Sequence, residues 1–389
     1  MSLYCQYGYG NGNKIEKGLS SNLISGVILS PRIKTPEGVK EYIQQLHLNN
    51  NCNLYFDPQF YLCAALEVSE VNRGKLISYP FYEEDLTRKD FSNPANIRKY
   101  VKDVLAFEEN LVVAALITPT IPVSDFNGRE AQIAINMAYE SIETNSQNKP
   151  IYISLCVNDS AFKNSEAVQD FLDSITMLDV NGFYIIIDHT IPEEASFGIE
   201  ALANLMGFLY TLSTVARYHL IIGYSYLLSL LLAVCGNIDF AFGWYKNLKI
   251  FSKSNFERRS GGRRARPRYL SDKLLSAILI NPDAESLNRI GLKDLYLSDS
   301  PYNDNLIKNT WNDEINCLHE WYVFNNLLNQ IASFNETSEK CKFVFSLIGD
   351  AIQRYETINS KVPGVLIGSP TNLSQWNQAI NLFRESIND

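Results

Sequence analysis

Short apolar runs alternate with longer amphipathic stretches along most of the chain. Runs with β character cover residues 23–29, 53–56, 111–117, 151–157, 183–187, 219–224 and 238–242. Several, such as Phe183-Tyr184-Ile185-Ile186-Ile187, are apolar at every position, the pattern of a strand covered on both faces. Segments with helical spacing separate them at 38–48, 96–108, 129–144, 165–178 and 194–216. Thr35-Pro36-Glu37 opens the first of these with a capping hydroxyl, a proline at the first helical position and an early acid. Repetition of strand and helix predicts parallel βαβ units. Seven such strands, with an eighth expected near residues 269–280, a segment that reads equally well as a helix, predict an α/β fold of the (β/α)8 TIM-barrel type. Beyond about residue 281 strong strands give way to helical patterns at 309–334, 339–359 and 372–387. The expected organisation is a barrel domain over residues 1–280 and a helical C-terminal extension over 281–389 packed on it.

Composition narrows the class. The chain has 389 residues, 46% hydrophobic and 20% charged, the balance of a globular protein rather than a disordered one. A net charge of −9 gives no overall attraction to polyanions, so any phosphate or nucleic-acid binding must come from a local basic patch. The seven cysteines include no C-x-x-C pair, and several sit in apolar runs, which fits reduced thiols and a cytoplasmic protein. The first residues, MSLYCQYGYGNGNKIEKG, lack the apolar core of a secretory signal. Residues 218–235 are apolar enough to suggest a membrane span, but they divide into a strand-like half and a helix-like half. No membrane association, metal or cofactor is expected.

In a parallel barrel the chemistry sits just past the carboxyl ends of the strands. The residues there form a polar set: Arg32, Asp57, residues 118–125, Asn158 and Asp159, Asp188 and His189, Tyr224 and Ser225, and Trp244, Tyr245 and Lys246. Asp188-His189 is the most attractive pair, because a carboxylate and an imidazole at one strand end can share acid–base work. A helix cap and a loop histidine would leave the same letters. With four histidines and no H-x-x-E spacing, a zinc site is not expected. Asp57 precedes Pro58, where an aspartate commonly starts a turn; its place at the end of a buried strand adds a functional reading.

Residues 246–268 reverse the charge of the chain, with nine basic residues and one acid. Gly261-Gly262 allows close backbone approach, while Arg258, Arg259, Arg263, Arg264, Arg266 and Arg268 offer planar forks suited to phosphate oxygens. Aromatic residues flank the stretch, and stacking beside arginine is a mode of single-strand binding. A solvated surface loop is the competing reading. The stretch lacks the Lys-Ser/Thr ending of a P-loop.

Two further stretches carry a resemblance. Phe56-Asp57-Pro58-Gln59-Phe60 and Gly236-Asn237-Ile238-Asp239-Phe240-Ala241-Phe242 resemble strand elements of tRNA-guanine transglycosylases, barrel enzymes that exchange a nucleobase through an aspartate nucleophile. The resemblance implies acidic site residues at Asp57 and Asp239. The family's nucleophile position is Phe242 here, and its cysteine zinc motif is absent. Together these features support an enzyme acting on a nucleotide or nucleic acid through Asp57, Asp188, His189 and Asp239, with Arg32, Tyr224, Lys246 and the arginines holding phosphate. The alternative is a catalytically silent nucleic-acid-binding or scaffolding subunit that docks a protein through its C-terminal helices, a reading the missing nucleophile favours. Replacing Arg263, Arg264 and Arg266 by alanine should weaken oligonucleotide binding and flatten its salt dependence, since each lost phosphate contact releases fewer counterions. A wild-type protein without salt-sensitive binding in fluorescence anisotropy would remove the basis for the clamp.

Overall fold

The computed structural model describes residues 1–64, 68, 70–191, 197–256, 266–366 and 371–388. Nine parallel strands form the main sheet: β1 (Leu3–Gln6), β2 (Gly26–Leu29), β3 (Asn53–Phe56), β4 (Leu116–Ile117), β5 (Pro122–Val123), β6 (Ile151–Asn158), β7 (Gly182–Asp188), β8 (His219–Gly223) and β9 (Ile238–Phe242). β4 and β5 pair with successive stretches of β6 and share one place in the sheet. The order runs β3-β2-β1-β9-β8-β7-β6-β4. The two ends meet where Ala114 N–H donates to Leu54 O at 2.8 Å. The result is a nearly closed (β/α)8 barrel, with a helical region at the C-terminus.

The strand at Leu3–Gln6 corrects the expectation for the eighth strand. Residues 268–279 instead make an antiparallel hairpin, β10 (Arg268–Ser271) with β11 (Ser276–Leu279), outside the barrel. Four residues, one of them a glutamine, are too short for periodicity to register. β1 is specified by its position between β2 and β9, which supply hydrogen bonds on both sides. The capping signals were direct. Thr35 accepts from Gly38 N–H at 3.2 Å at the start of helix Pro36–Asn49, and Asn164 accepts from Ala167 N–H at 3.3 Å at the start of Ser165–Ile175.

The C-terminal helices Asp313–Ala332, Thr337–Lys361 and Thr371–Asn388 pack on the outer helices and on the barrel wall. Phe324 lies 4.7 Å from Phe242 and 5.2 Å from Tyr226, and Phe383 lies 5.8 Å from Tyr210, all as ring centroids. The hairpin joins this layer, since His319 stacks 4.4 Å from Tyr269 and hydrogen-bonds Leu270 O at 2.8 Å. Among the described residues no helix is long and apolar enough to cross a membrane. Residues 218–235 divide into β8 and a short helix, Leu228–Leu232.

The barrel interior is unusually polar. Contacts between strands that are not neighbours identify the inward side chains. At the amino end of the strands Tyr4, Tyr55, Tyr152 and His219 form a chain of rings with centroids 5.4, 5.9 and 5.4 Å apart. His219 Nε2 lies 3.0 Å from Asp239 Oδ2. At the carboxyl end Gln6, Asp57, Tyr184 and Tyr224 meet across the barrel. Gly223 makes this packing possible, because a Cβ there would lie 2.6 Å from Tyr184 Oη. Gly223→Ala should therefore lower stability by about 1–3 kcal/mol, the range for overfilling a packed core. Urea denaturation giving an unchanged midpoint would mean that Tyr184 can shift freely.

Candidate functional site

Parallel strands place Arg32, Asp57, Asp188, Tyr224 and Lys246 at one end of the barrel, as the strand-end argument requires. They do not form one cluster. Asp57 and Tyr224 belong to an interior well, Asp188 and His189 to an adjoining cleft, Arg32 to the material between them, and Lys246 to the exposed surface.

The well is built from the ends of β1, β3, β7 and β8. The Asp57 carboxylate is fully buried; Oδ1 accepts from Gln59 N–H at 2.9 Å, and Oδ2 accepts from Tyr61 Oη at 2.9 Å and Tyr184 Oη at 3.3 Å. The first of these bonds is the aspartate turn that the Asp-Pro sequence suggested. Gln59 and Gln6 both donate through Nε2 to Tyr224 Oη at 3.0 Å. Gln59 and Tyr224 hold φ of 50° and 55°, a left-handed region that non-glycine residues seldom occupy and that tends to mark functional positions. Burial pushes the Asp57 carboxyl up to about 6, with the hydrogen bonds from Gln59, Tyr61 and Tyr184 opposing the shift.

The cleft opens beside the well at the carboxyl ends of β5, β6 and β7, with a volume of about 740 Å³. Asp188, His189 and Asn158 line its barrel side, Ser252, Lys253 and Ser254 a second side, and Arg88 and Lys89 its outer rim. Asp188 Oδ1 accepts from Lys253 N–H at 2.7 Å, and Oδ2 accepts from Asn158 Nδ2 at 3.3 Å. Burial raises its pKa despite these bonds. His189 is 3% exposed, and burial pushes its imidazole down to about 4, so it is neutral near pH 7. Its Nδ1 is buried without a hydrogen-bond partner. Arg88 forms an ion pair with Glu130 at the rim. The cleft thus combines a carboxyl displaced toward neutrality, a neutral imidazole with a free nitrogen, hydroxyls and three cationic side chains.

Residues 250–256 run between cleft and well. Phe251 packs against Tyr61 and Tyr224, and Arg32 stacks over Phe256 at 4.5 Å while donating from Nε to Asn72 O at 2.5 Å. Arg32 is therefore engaged with this segment rather than lining the cleft.

The other anticipated residues lie elsewhere. Asp239 stands at the amino end of β9, bonded to His219 and to Ser2 N–H at 2.5 Å, so the barrel separates it from Asp57 and Asp188. Phe242 faces outward between Tyr226 and Phe324. Arg258, Arg259, Arg263 and Arg264 lie outside the described residues. Arg266 and Arg268 are exposed, and Arg268 donates to Ala277 O at 2.7 Å within the hairpin. Among the described residues no group of three or more histidine, cysteine or acidic side chains is arranged to hold a metal. Sequence reasoning missed Gln6, Gln59, Tyr61 and Tyr184 in the well and Arg88 and Lys89 in the cleft, and it counted Lys253 only within the basic stretch 246–268. Tyr184 had a usable signal: residues 184, 186 and 188 share one face of a strand, so Tyr184 must point where Asp188 points.

No family model and no curated protein matches the chain.

The raised Asp57 carboxyl has a measurable sign. The folded protein keeps this proton up to about pH 6, whereas the unfolded chain loses it near the ordinary aspartate value of 3.8, so Asp57 costs stability as pH rises through that window. Between pH 4 and pH 7 the stability difference between Asp57→Asn and wild type should move in favour of the variant by about 2 kcal/mol. Guanidinium denaturation at the two pH values measures it. A pH-independent difference would mean that Asp57 ionises as it does in water.

Proposed function

We propose that this barrel is an enzyme acting on a phosphate-bearing small molecule, with nucleotides as the leading substrate class, bound in the cleft at the carboxyl ends of β5, β6 and β7. The carrying observation is the neutral, buried His189 with a free Nδ1 beside Asp188, in a cleft rimmed by Lys253, Arg88 and Lys89. The cations and the hydroxyls of Ser252 and Ser254 suit phosphate oxygens, which need charge and several donors at once. The imidazole is neutral near pH 7 and keeps a lone pair free to take a proton in the transition state, and its low pKa favours handing that proton on. Asp188, with its pKa raised, serves as the second acid–base group. The cleft is large enough for a nucleotide-sized ligand. Base exchange through the aspartate of the transglycosylases is not part of this reading, because Phe242 holds that position on the outer face of β9.

A second reading, a catalytically silent subunit binding nucleic acid through residues 246–268, draws support from the same substitution and from the exposure of Arg266 and Arg268.

Calorimetric titration with inorganic phosphate, ribose 5-phosphate and adenosine monophosphate separates the two. Binding of all three, weakened about tenfold or more by a combined Lys89→Ala and Lys253→Ala change, is the expected result. Turnover of a nucleotide panel followed by mass spectrometry should fall at least about 100-fold in His189→Ala with the fold retained, the lower end for loss of one proton-transfer group. No phosphate binding, or binding indifferent to both lysines, would sink the cleft reading and leave the silent subunit.

A further inference from the structure

The proposed chemistry leaves the interior well without a role and uses only Ser252, Lys253 and Ser254 of the segment above it. Residues 250–256 cover the well: the Phe251 ring lies 5.3 Å from that of Tyr61 and 5.4 Å from that of Tyr224, and both tyrosines reach into the hydrogen-bonding around Asp57 and Gln59. Three hydrogen bonds tie the segment to the barrel end. His189 N–H donates to Phe251 O at 3.0 Å, Lys253 N–H to Asp188 Oδ1 at 2.7 Å, and Asn72 Nδ2 to Phe256 O at 2.8 Å. Two of the three end on the residue pair that lines the cleft.

The closed arrangement is also incompletely satisfied. Asn255, in the segment, is buried with neither amide atom hydrogen-bonded, and in the well Gln59 is 2% exposed with its Oε1 unpartnered. A buried polar group without a partner weakens the closed arrangement. An acceptor held at a left-handed backbone position inside the well, facing no donor, is a place for a ligand donor.

We propose that residues 250–256 are a displaceable roof over a covered second compartment of the cleft. That compartment, walled by Asp57, Gln59, Tyr61, Tyr184 and Tyr224, receives the uncharged, hydroxyl- or amide-bearing end of the ligand whose phosphate the cleft holds. The ligand half of this proposal rests on the cleft reading above; the roof does not. Lys249 fixes the upstream hinge, since its Nζ pairs with the buried Glu320 carboxylate at 2.6 Å. Asp188 is the latch: a ligand that engages its carboxylate removes the acceptor of Lys253 N–H, and the roof lifts from Phe251 onward.

Cys156 reports the opening. It lies on β6, is 1% exposed, and feels the charges of Asp188, Asp57 and Lys253. Modification by N-ethylmaleimide, mapped by mass spectrometry, compares it with the buried Cys235 and Cys317. In the wild-type protein Cys156 should react through an opening almost independent of urea at low concentration, while Cys235 and Cys317 follow the steep dependence of global unfolding. Asp188→Ala should accelerate Cys156 at least tenfold and leave the other two unchanged. A Cys156 rate that climbs with urea in parallel with the others, or is unaltered in the variant, overturns the roof. Ribose 5-phosphate fills the opened compartment with its sugar whereas inorganic phosphate leaves it open, so Cys156 should react more slowly with the former bound than with the latter at equal occupancy. Equal effects overturn the ligand assignment of the well. Failure of both to bind overturns the cleft reading, and the ligand assignment with it, while the urea series still decides the roof.

Discussion

An ionisable group withdrawn into a barrel interior must meet donors on every side, and Asp57 imposes that requirement on the whole carboxyl end of this sheet. Removing an unpaired carboxylate from water costs several kcal/mol or more, so the neighbouring strands supply Tyr184 from β7, Tyr61 and Gln59 from the turn after β3, and through them Tyr224 and Gln6. Tyrosine suits this task because one side chain fills core volume with its ring and ends in a hydroxyl. The cost is geometric: Gly223 must lack a side chain, and Gln59 and Tyr224 must hold left-handed backbones.

This interior explains why the strand-end residues separate into two places. Where a TIM barrel commonly has an open mouth, the well is lined by its own hydroxyls and amides and covered by Phe251. Free volume remains to one side, between β5, β6, β7 and the loop carrying Arg88 and Lys89, and that is where the cleft lies. Asp188 belongs to both arrangements, since its carboxylate faces the cleft and accepts the backbone N–H that holds the covering segment. A residue with such a double task couples the occupancy of one space to the access of the other.

The C-terminal helices contribute from behind. Glu320 on helix Asp313–Ala332 is buried and meets Lys249 and the Tyr226 hydroxyl, so the helix layer anchors the chain just before the covering segment begins. Breaking a buried pair on one side leaves an uncompensated charge, which gives this anchor more weight than a surface ion pair would have. His319, pushed down to about 4 by burial, is neutral and bridges Ser300 and Leu270 O, tying the β10–β11 hairpin to the same helix.

The sequence by itself determined the barrel. Continuous apolar strands such as 183–187 and capped helices such as Pro36–Asn49 are local patterns, and their alternation leaves few ways to close a parallel sheet. It also determined that Asp57, Asp188 and Tyr224 share one end, because strand direction carries that information. It did not reveal β1, whose four residues are strand only because two neighbours bond to them, nor the far placement of Asp239, which motif likeness alone had grouped with Asp57. The partners of Asp57, the covering segment and the rim cations Arg88 and Lys89 were decided by tertiary structure. Each comes from a different stretch of chain, and the hydrogen bonds and burial that assign their roles exist only once the barrel has closed around them.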